Sequence, residues 1–354
     1  MRIIIEGVIY FYLFICAALL LFNVIYIYRQ TQKEKNKEKR IESWKQKLKK
    51  DKQNTILDDK TVEKLKDAQH LTGLYNAMDV VLKDKKKRLT FYKKNMAAFQ
   101  KLALEYEKHN AMEKAFFAYV LASFEFDGTA NEGIMSQIML QCFEDSTIYC
   151  RENLLHALYA LGKSQAIEHG FALLNENDWY HSPKLIADGL LKYRGDQKEL
   201  CERLWRHHDE WRDYLLVGVV QYASMCKDDF FNDELLKDLQ DKDTQDEVRF
   251  AIIRYFMHHK DEKILPLLLS YAREEGTDDR FAIPACLSLQ SYPCEESIDA
   301  LCQAMHSRNW YVRKNAVISL YKLKADKKAS ENLGDDRYAR EMFEYVGASL
   351  KEAT

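Results

Sequence analysis

Residues 7–28 carry no charged side chain and, apart from Asn23, almost nothing that seeks water. A hydrocarbon core about 30 Å thick is matched by roughly 20 apolar residues rising about 1.5 Å each, so this run is long enough to cross a bilayer as one helix. Residues 1–29 are therefore expected to form a transmembrane anchor. Tyr10, Tyr12, Tyr26 and Tyr28 lie near its two ends, where amphipathic rings suit the headgroup layer. Only Arg2 and Glu6 precede the run. After it come Arg29, Lys33, Lys35, Lys37, Lys39, Arg40, Lys45, Lys47, Lys49, Lys50 and Lys52. The positive-inside bias puts the long carboxyl-terminal part in the cytosol and the amino terminus outside, a single-pass plasma-membrane arrangement. A cleaved signal needs a basic n-region, a shorter apolar stretch and a small-x-small site, and Tyr26, Ile27 and Tyr28 end the run instead. Cys16 follows the bulky Phe14 and Ile15, which do not suit a lipoprotein acylation site. The expectation is an anchor that stays attached.

Behind the anchor, four prolines and twelve glycines in 354 residues leave little punctuation, which favours helices joined by short turns over a sheet-rich fold. The net charge of −2 conceals an asymmetry: residues 1–101 hold 23 Lys and Arg against 11 Asp and Glu, a balance of +12, and the remainder carries −14. A basic region beside the anchor suits an anionic leaflet, at about 1 kcal/mol per nearby cation. Contact with anionic lipid is thus expected between Lys33 and Lys52. An acidic distal body argues against nucleic acid as its ligand. Eight cysteines without a CxxC pair read as small core hydrophobes in a reducing compartment.

Residues 30–58 are nearly all Lys, Glu, Gln and Asn, with Ile41, Trp44 and Leu48 the main apolar positions. They predict a solvated helix or linker running on from the membrane, with Trp44 and Leu48 able to rest on the interface. Across residues 59–145 the spacing of Leu71, Leu74, Tyr75, Met78, Val81 and Leu82, and of Phe91, Met96, Phe99, Leu102, Ala103 and Tyr106, predicts degenerate helix pairs. Asp127-Gly128 reads as a stop after a third run.

From residue 146 to the end a unit recurs. A first helix opens near a basic residue, carries small or apolar residues three and seven positions later, and is followed by a shorter amphipathic helix. Arg151 has Leu154 and Leu158; Lys184 has Ala187 and Leu191; Arg212 has Leu215 and Val219. Arg249 has Ile252 and Phe256, Arg280 has Ile283 and Leu287, and Arg313 has Ala316 and Leu320. Successive basic positions stand 33, 28, 37, 31 and 33 residues apart, a period suited to stacked helix pairs. Thr244 with Glu247 has the form of a capping box, Pro183 fits a first helical turn, and Gly162 and Gly195 fit helix ends.

The stretch Asn309-Trp310-Tyr311-Val312-Arg313-Lys314-Asn315-Ala316, continuing to Leu320, resembles the first helix of a HEAT repeat: a polar cap, Val-Arg, a small residue three later and Leu four after that. Asp246-Glu247-Val248-Arg249 is similar, with Ile252 in place of the small residue. The resemblance implies an all-α fold, a right-handed α-solenoid of HEAT-like helix pairs behind a single transmembrane helix, closed by a capping helix near Tyr338. It implies structural roles for Arg151, Arg249, Arg280 and Arg313, the Arg of such repeats typically reaching an Asp of a neighbouring repeat.

Chemistry is harder to find. No HExxH, GxxxxGK[ST], GxSxG or GxGxxG motif occurs. The pairs His207-His208 and His258-His259 point about 100° apart in a helix and make poor joint metal sites. No catalytic residue, metal or cofactor is therefore assigned. Some HEAT-like proteins are enzymes, DNA glycosylases and bilin lyases among them, and Trp211 with Asp213 imitates the Trp-Asp pairing of the former. An enzyme on nucleic acid or a tetrapyrrole is thus the alternative reading, although packing of Trp205 and Trp211 around a turn is the simpler one. The leading expectation is a scaffold that binds a protein near the membrane, such as a membrane enzyme or envelope-synthesis machine, for example a glycosyltransferase. Its contacts are expected at Trp179, Tyr180, Trp211, Trp310 and Tyr311, aromatic residues being enriched at binding hot spots.

Overall fold

The structure, a computed structural model, describes residues 2–50, 55–124, 126, 133–226, 231–274 and 278–352, with side chains from residue 13 onward. Every extended element among them is a helix. The turn proposed at Asp127-Gly128 lies outside the described residues.

Helix α1 (Arg2–Lys50) is continuous through 49 residues, about 73 Å at 1.5 Å per residue. Leu13, Phe14, Leu19, Leu20, Leu21, Phe22, Val24, Tyr26, Ile27 and Tyr28 are each more than half exposed. No part of the described chain covers this apolar stretch, so it is not a core helix here, and it is long and apolar enough to span a membrane. The far end of α1 behaves differently. Leu48 is 1% exposed and Trp44 half-buried, because Ile41, Trp44 and Leu48 recur on one helical stripe that packs against α3 (Ala68–Val81). Gly73 permits the approach: a Cβ there would stand 3.1 Å from Arg40 Cβ. The expected solvated linker over 30–58 is thus corrected for its second half. Trp44 and Leu48 meet protein rather than a lipid interface, a three-residue stripe sufficing where the opposing helix offers a glycine.

Contacts divide the chain into two units, residues 1–170 with 193–195, and residues 171–192 with 196–354. The division falls at Gly170, inside α9 (Ser164–Glu176). The first unit continues with α2 (Asp59–Leu65), α4 (Lys85–Lys94), α5 (Met96–Tyr106), α6 (Ala111–Ala122), α7 (Gly133–Gln141) and α8 (Ile148–Leu161). Side chains of Asp58, Asp67, Asp84, Asn110 and Thr147 accept backbone N–H groups at the starts of α2, α3, α4, α6 and α8, which would otherwise lack partners. Gly162 ends α8 at φ +72°, a conformation that favours glycine. Tyr92, Phe99, Phe124 and Phe126 pack as a ring cluster, the closest centroids 4.7 Å apart. Beside them the buried Asn95 donates to Thr55 O and Phe91 O and accepts from Leu57 N, stitching the segment before α2 to the helices around it.

The second unit holds the rest of α9, then α10 (Pro183–Leu190), α11 (Gln197–Trp205), α12 (Asp213–Met225), α13 (Asn232–Gln240) and α14 (Asp246–His258). It continues with α15 (Leu265–Ala272), α16 (Asp279–Ser288), α17 (Glu295–Ala304), α18 (Trp310–Lys322), α19 (Asp326–Glu331) and α20 (Arg337–Glu352). Alternate helices form a row in which α10 packs on α12, α12 on α14, α14 on α16, α16 on α18 and α18 on α20. Each intervening helix from α11 to α17 packs on the one that follows it.

Within the row, buried hydroxyls fix the register. Ser288 Oγ donates to Ile253 O at 2.9 Å, and Ser319 Oγ donates to Cys286 O at 2.7 Å. Equivalent bonds make Tyr255, Ser288 and Ser319 equivalent positions. The small-and-apolar pair of α16 is then Ala285 with Leu289, both fully buried, not the half-buried Ile283 and Leu287. Ala282 takes the place that Arg249 and Arg313 hold. Counted by these bonds, the corresponding positions 249, 282 and 313 stand 33 and 31 residues apart, because Arg280 sits two residues ahead of the position that matches Arg249. At the end of α10, Ala187 is buried as expected, but Leu191, the C-cap, is 41% exposed while Leu190 is buried. The capping box also fails: Gln245 is the N-cap of α14 and no side chain caps it.

Candidate interaction surface

All five aromatic positions expected to meet a partner stand where a turn delivers the chain into a helix of the row, and four of them reach the surface. Asn309 caps α18 by accepting Tyr311 N at 2.9 Å, which leaves Trp310 and Tyr311 on the first, outward turn. Trp310 is 44% and Tyr311 61% exposed. Their rings meet edge to face at 5.1 Å, and the Lys314 ammonium lies 5.0 Å from the Trp310 ring. One turn along, the Arg313 guanidinium sits 5.5 Å from the ring of Tyr338 at the start of α20, itself 66% exposed. Trp310, Tyr311, Arg313, Lys314 and Tyr338 therefore form one patch of rings and cations. The sequence reading missed Tyr338 as a surface residue, although Asp336 two positions before it has the same relation to its helix as Asn309 to α18.

Tyr180 is 60% exposed ahead of α10, and its ring meets that of Tyr214 at 5.2 Å. Tyr214 Oη donates to Trp179 O at 3.0 Å, so the turn carrying the half-buried Trp179 is held against α12. No contact among the described residues links this pair to the Trp310 patch.

Trp211 departs from the expectation. It is 9% exposed, donates Nε1 to Leu204 O at 2.7 Å and packs edge to face on Phe171. With its indole engaged inside the turn, Trp211 presents no ring to a partner and none for a base to stack on beside Asp213. Trp205 behaves likewise, buried and stacked on His208 at 4.9 Å.

The arginines are structural in differing ways. Arg151 donates to Ser146 O and Arg313 to Ser307 O, carbonyls of the segment leading into their own helix, whereas Arg249 donates to Leu239 O at the end of α13 and pairs with Asp246 of its own helix at 3.6 Å. These bonds correct the expected link to an Asp of a neighbouring repeat at Arg249 and Arg313. Arg–Asp pairs between successive row positions are made instead by Arg280, which reaches Asp246 at 2.8 Å as well as Asp278 at 2.7 Å, and by Arg212, which reaches Asp178 at 3.2 Å. Backbone and side-chain hydrogen bonds from Arg280 hold the Asp278 carboxyl below the usual carboxylate range. Asp336 is lowered in the same way, first by the ring of His306 at 2.8 Å and then by the backbone at the start of α20. Burial pushes the Cys142 thiol up to about 12 and raises Cys150, Cys286 and Cys302, away from the thiolate form a nucleophile or metal ligand needs. Among the described residues no group of three or more His, Cys, Asp or Glu side chains is placed to hold a metal ion.

No protein-family model matches this chain, and no curated protein is similar to it by sequence.

Proposed function

We propose that the chain is a membrane-anchored adaptor whose cytosolic body is a right-handed solenoid of HEAT-like helix pairs, and that it holds a protein partner at the membrane through the ring-and-cation patch at the starts of α18 and α20. The observation that carries this reading is that patch: Trp310, Tyr311 and Tyr338 lie exposed with Arg313 and Lys314 among them, on a row of helices locked in register beneath. Rigid aromatic rings beside guanidinium and ammonium groups are what hot spots are made of. The row supports the solenoid, since each helix that repeats the Val-Arg or equivalent position packs on its neighbours in chain order. Tethering supplies the rest of the mechanism, confining the patch to a thin layer and raising its effective concentration toward any membrane-bound partner. A membrane enzyme, a glycosyltransferase being one example, is the partner class that gains most from such an arrangement.

A photo-crosslinking amino acid at Tyr311 of the full chain in living cells tests the reading. One discrete adduct in the membrane fraction is expected, lost when Trp310 and Tyr338 are both changed to Ala and not formed from Leu104, which is half exposed in the first unit. Equal adducts from both positions, or none from Tyr311, would remove the patch from consideration.

A further inference from the structure

Where α1 docks on α2 and α3 it leaves a cleft of about 310 Å³ lined by Lys39, Arg40, Ser43, Trp44, Lys47, Thr61, Lys64 and His70. Four of these side chains are cationic and none is a carboxylate. Among the described residues none of Lys39, Arg40, Lys47 and Lys64 is in an ion pair, although Lys47 lies near enough to the Asp58 carboxylate to act on it, whereas Lys37, Lys45 and Lys66 close by are paired with Glu34, Glu42 and Glu63. Lys47 gives its ammonium only to the Thr61 hydroxyl at 3.4 Å and the Trp44 ring at 5.2 Å. Arg40 uses Nη2 on Gln69 at 2.9 Å, while its Nε is shut away from water without a hydrogen-bond partner. Concentrating like charges around a concavity is unfavourable unless an anion enters it, and low-dielectric walls focus the positive potential there.

We infer that this cleft is a binding site for a compact phosphate-bearing anion of at least two negative charges, held by Lys39, Arg40, Lys47 and Lys64 with the Ser43 and Thr61 hydroxyls as neutral donors. Arg offers paired N–H groups that match phosphate oxygens, and lysines add point charge. The site lies between α1 and the helices α2 and α3 within the first unit, so the ligand would bridge the long apolar helix and the helices packed on its far end. Two sources supply this chemistry. Lys39 and Lys47 follow Tyr28 by 11 and 19 residues, about 16 and 28 Å along an upright helix. That is well beyond a Debye length of about 8 Å, which favours a free phosphate compound over a lipid headgroup unless α1 is strongly tilted. The inference stands apart from the partner reading and does not depend on it.

The test uses the full chain in phosphatidylcholine nanodiscs, titrated calorimetrically with inorganic pyrophosphate, and in parallel the thermal midpoint in discs containing one fifth phosphatidic acid. Lys39→Gln with Lys64→Gln removes two exposed cations without touching the core, and Lys322→Gln with Lys327→Gln removes the same charge elsewhere. Pyrophosphate binding that weakens at least ten-fold in the first pair and less than two-fold in the second establishes the site with a free ligand. No pyrophosphate binding, but stabilisation by phosphatidic acid that only the first pair abolishes, establishes it with a headgroup. If wild type responds to neither, or if both pairs respond alike, the cleft binds no anion specifically and the inference is wrong.

Discussion

Asn95 shows how much one buried polar side chain decides in this chain. It is 3% exposed and satisfies Leu57 N, Thr55 O and Phe91 O at once. Truncating it leaves an amide and a carbonyl of the segment before α2 without partners, each lost bond to a buried group carrying about 1–3 kcal/mol. Asn95→Ala is therefore expected to destabilise the protein by about 2–4 kcal/mol in denaturant titration, and Asn95→Asp to rescue little because it keeps the acceptor but loses the donor. A loss under 1 kcal/mol would mean that water replaces all three bonds. Three carboxylates nearer the surface also stabilise the fold, but in a way that depends on pH. Asp58, Asp278 and Asp336 are each held below their ordinary value of 3.8, first by hydrogen bonds to Thr61, Arg280 and His306. A group with a depressed folded pKa binds fewer protons folded than unfolded near that value, so its stabilisation is complete above about pH 4 and is lost as pH falls through the folded value. The thermal midpoint should be flat with respect to these groups from pH 5 to 7 and fall below about pH 4. Changing all three to Asn should flatten that acid limb, and an unaltered limb would place its origin in other carboxylates.

At the scale of elements, what holds the row is close approach. A Cβ on Gly218 would stand 2.7 Å from Ile186 Cγ2 and 3.1 Å from Pro183 O, so α12 lies against α10 with no room for a methyl group. Gly218→Ala gains helix propensity of roughly 1 kcal/mol but must push the two helices apart, an overpacking cost of about 1–3 kcal/mol. The net expectation is a modest loss, up to about 2 kcal/mol, with Gly218→Val clearly worse; stabilisation by Ala would show that Ile186 moves aside freely. This contact also marks the limit of what the sequence makes legible. The order of first helices and shorter partners from α8 to α18, and the last helix α20, agrees with the period and apolar spacing of the sequence, whereas the short α19 (Asp326–Glu331) carries no such signal. The register of these helices does not follow from that spacing. Arg280 looks like the expected repeat arginine because it follows an acidic pair and precedes apolar residues, yet the Ser288 and Ser319 bonds match Ala282, not Arg280, to Arg249 and Arg313. A serine in a helix gives no sign from sequence of which carbonyl it will meet. The same holds for the aromatics: Trp310 and Tyr311, at the opening of a helix, are legible as surface, whereas Trp211 is drawn inward by one carbonyl on Leu204. Trp44 and Leu48 look solvated because their partner, Gly73, adds nothing to an apolar pattern.

Taken as a whole, the molecule combines a basic amino-terminal third, a long uncovered apolar helix and an acidic remainder, and the first two each predict attachment to a membrane by a different force. Thirteen Leu, Ile, Val and Phe residues between 7 and 28 favour insertion by about 0.3–0.6 kcal/mol each, roughly 4–8 kcal/mol together. The lysines after residue 29 contribute electrostatic attraction of comparable size, but only while salt leaves it unscreened. The two sources separate by mutation and by solvent. One arginine near the centre of the span costs about 2.5–3.5 kcal/mol, which the run withstands, whereas two cost about 5–7 kcal/mol and cancel it. Leu20→Arg alone should remain in the membrane pellet after alkaline carbonate. Ala17→Arg combined with Leu20→Arg should enter the aqueous fraction, while the wild type resists both carbonate and 0.5 M salt. Retention of the double variant that yields to salt would assign attachment to the basic stretch of α1 and leave the apolar run without a role in anchoring.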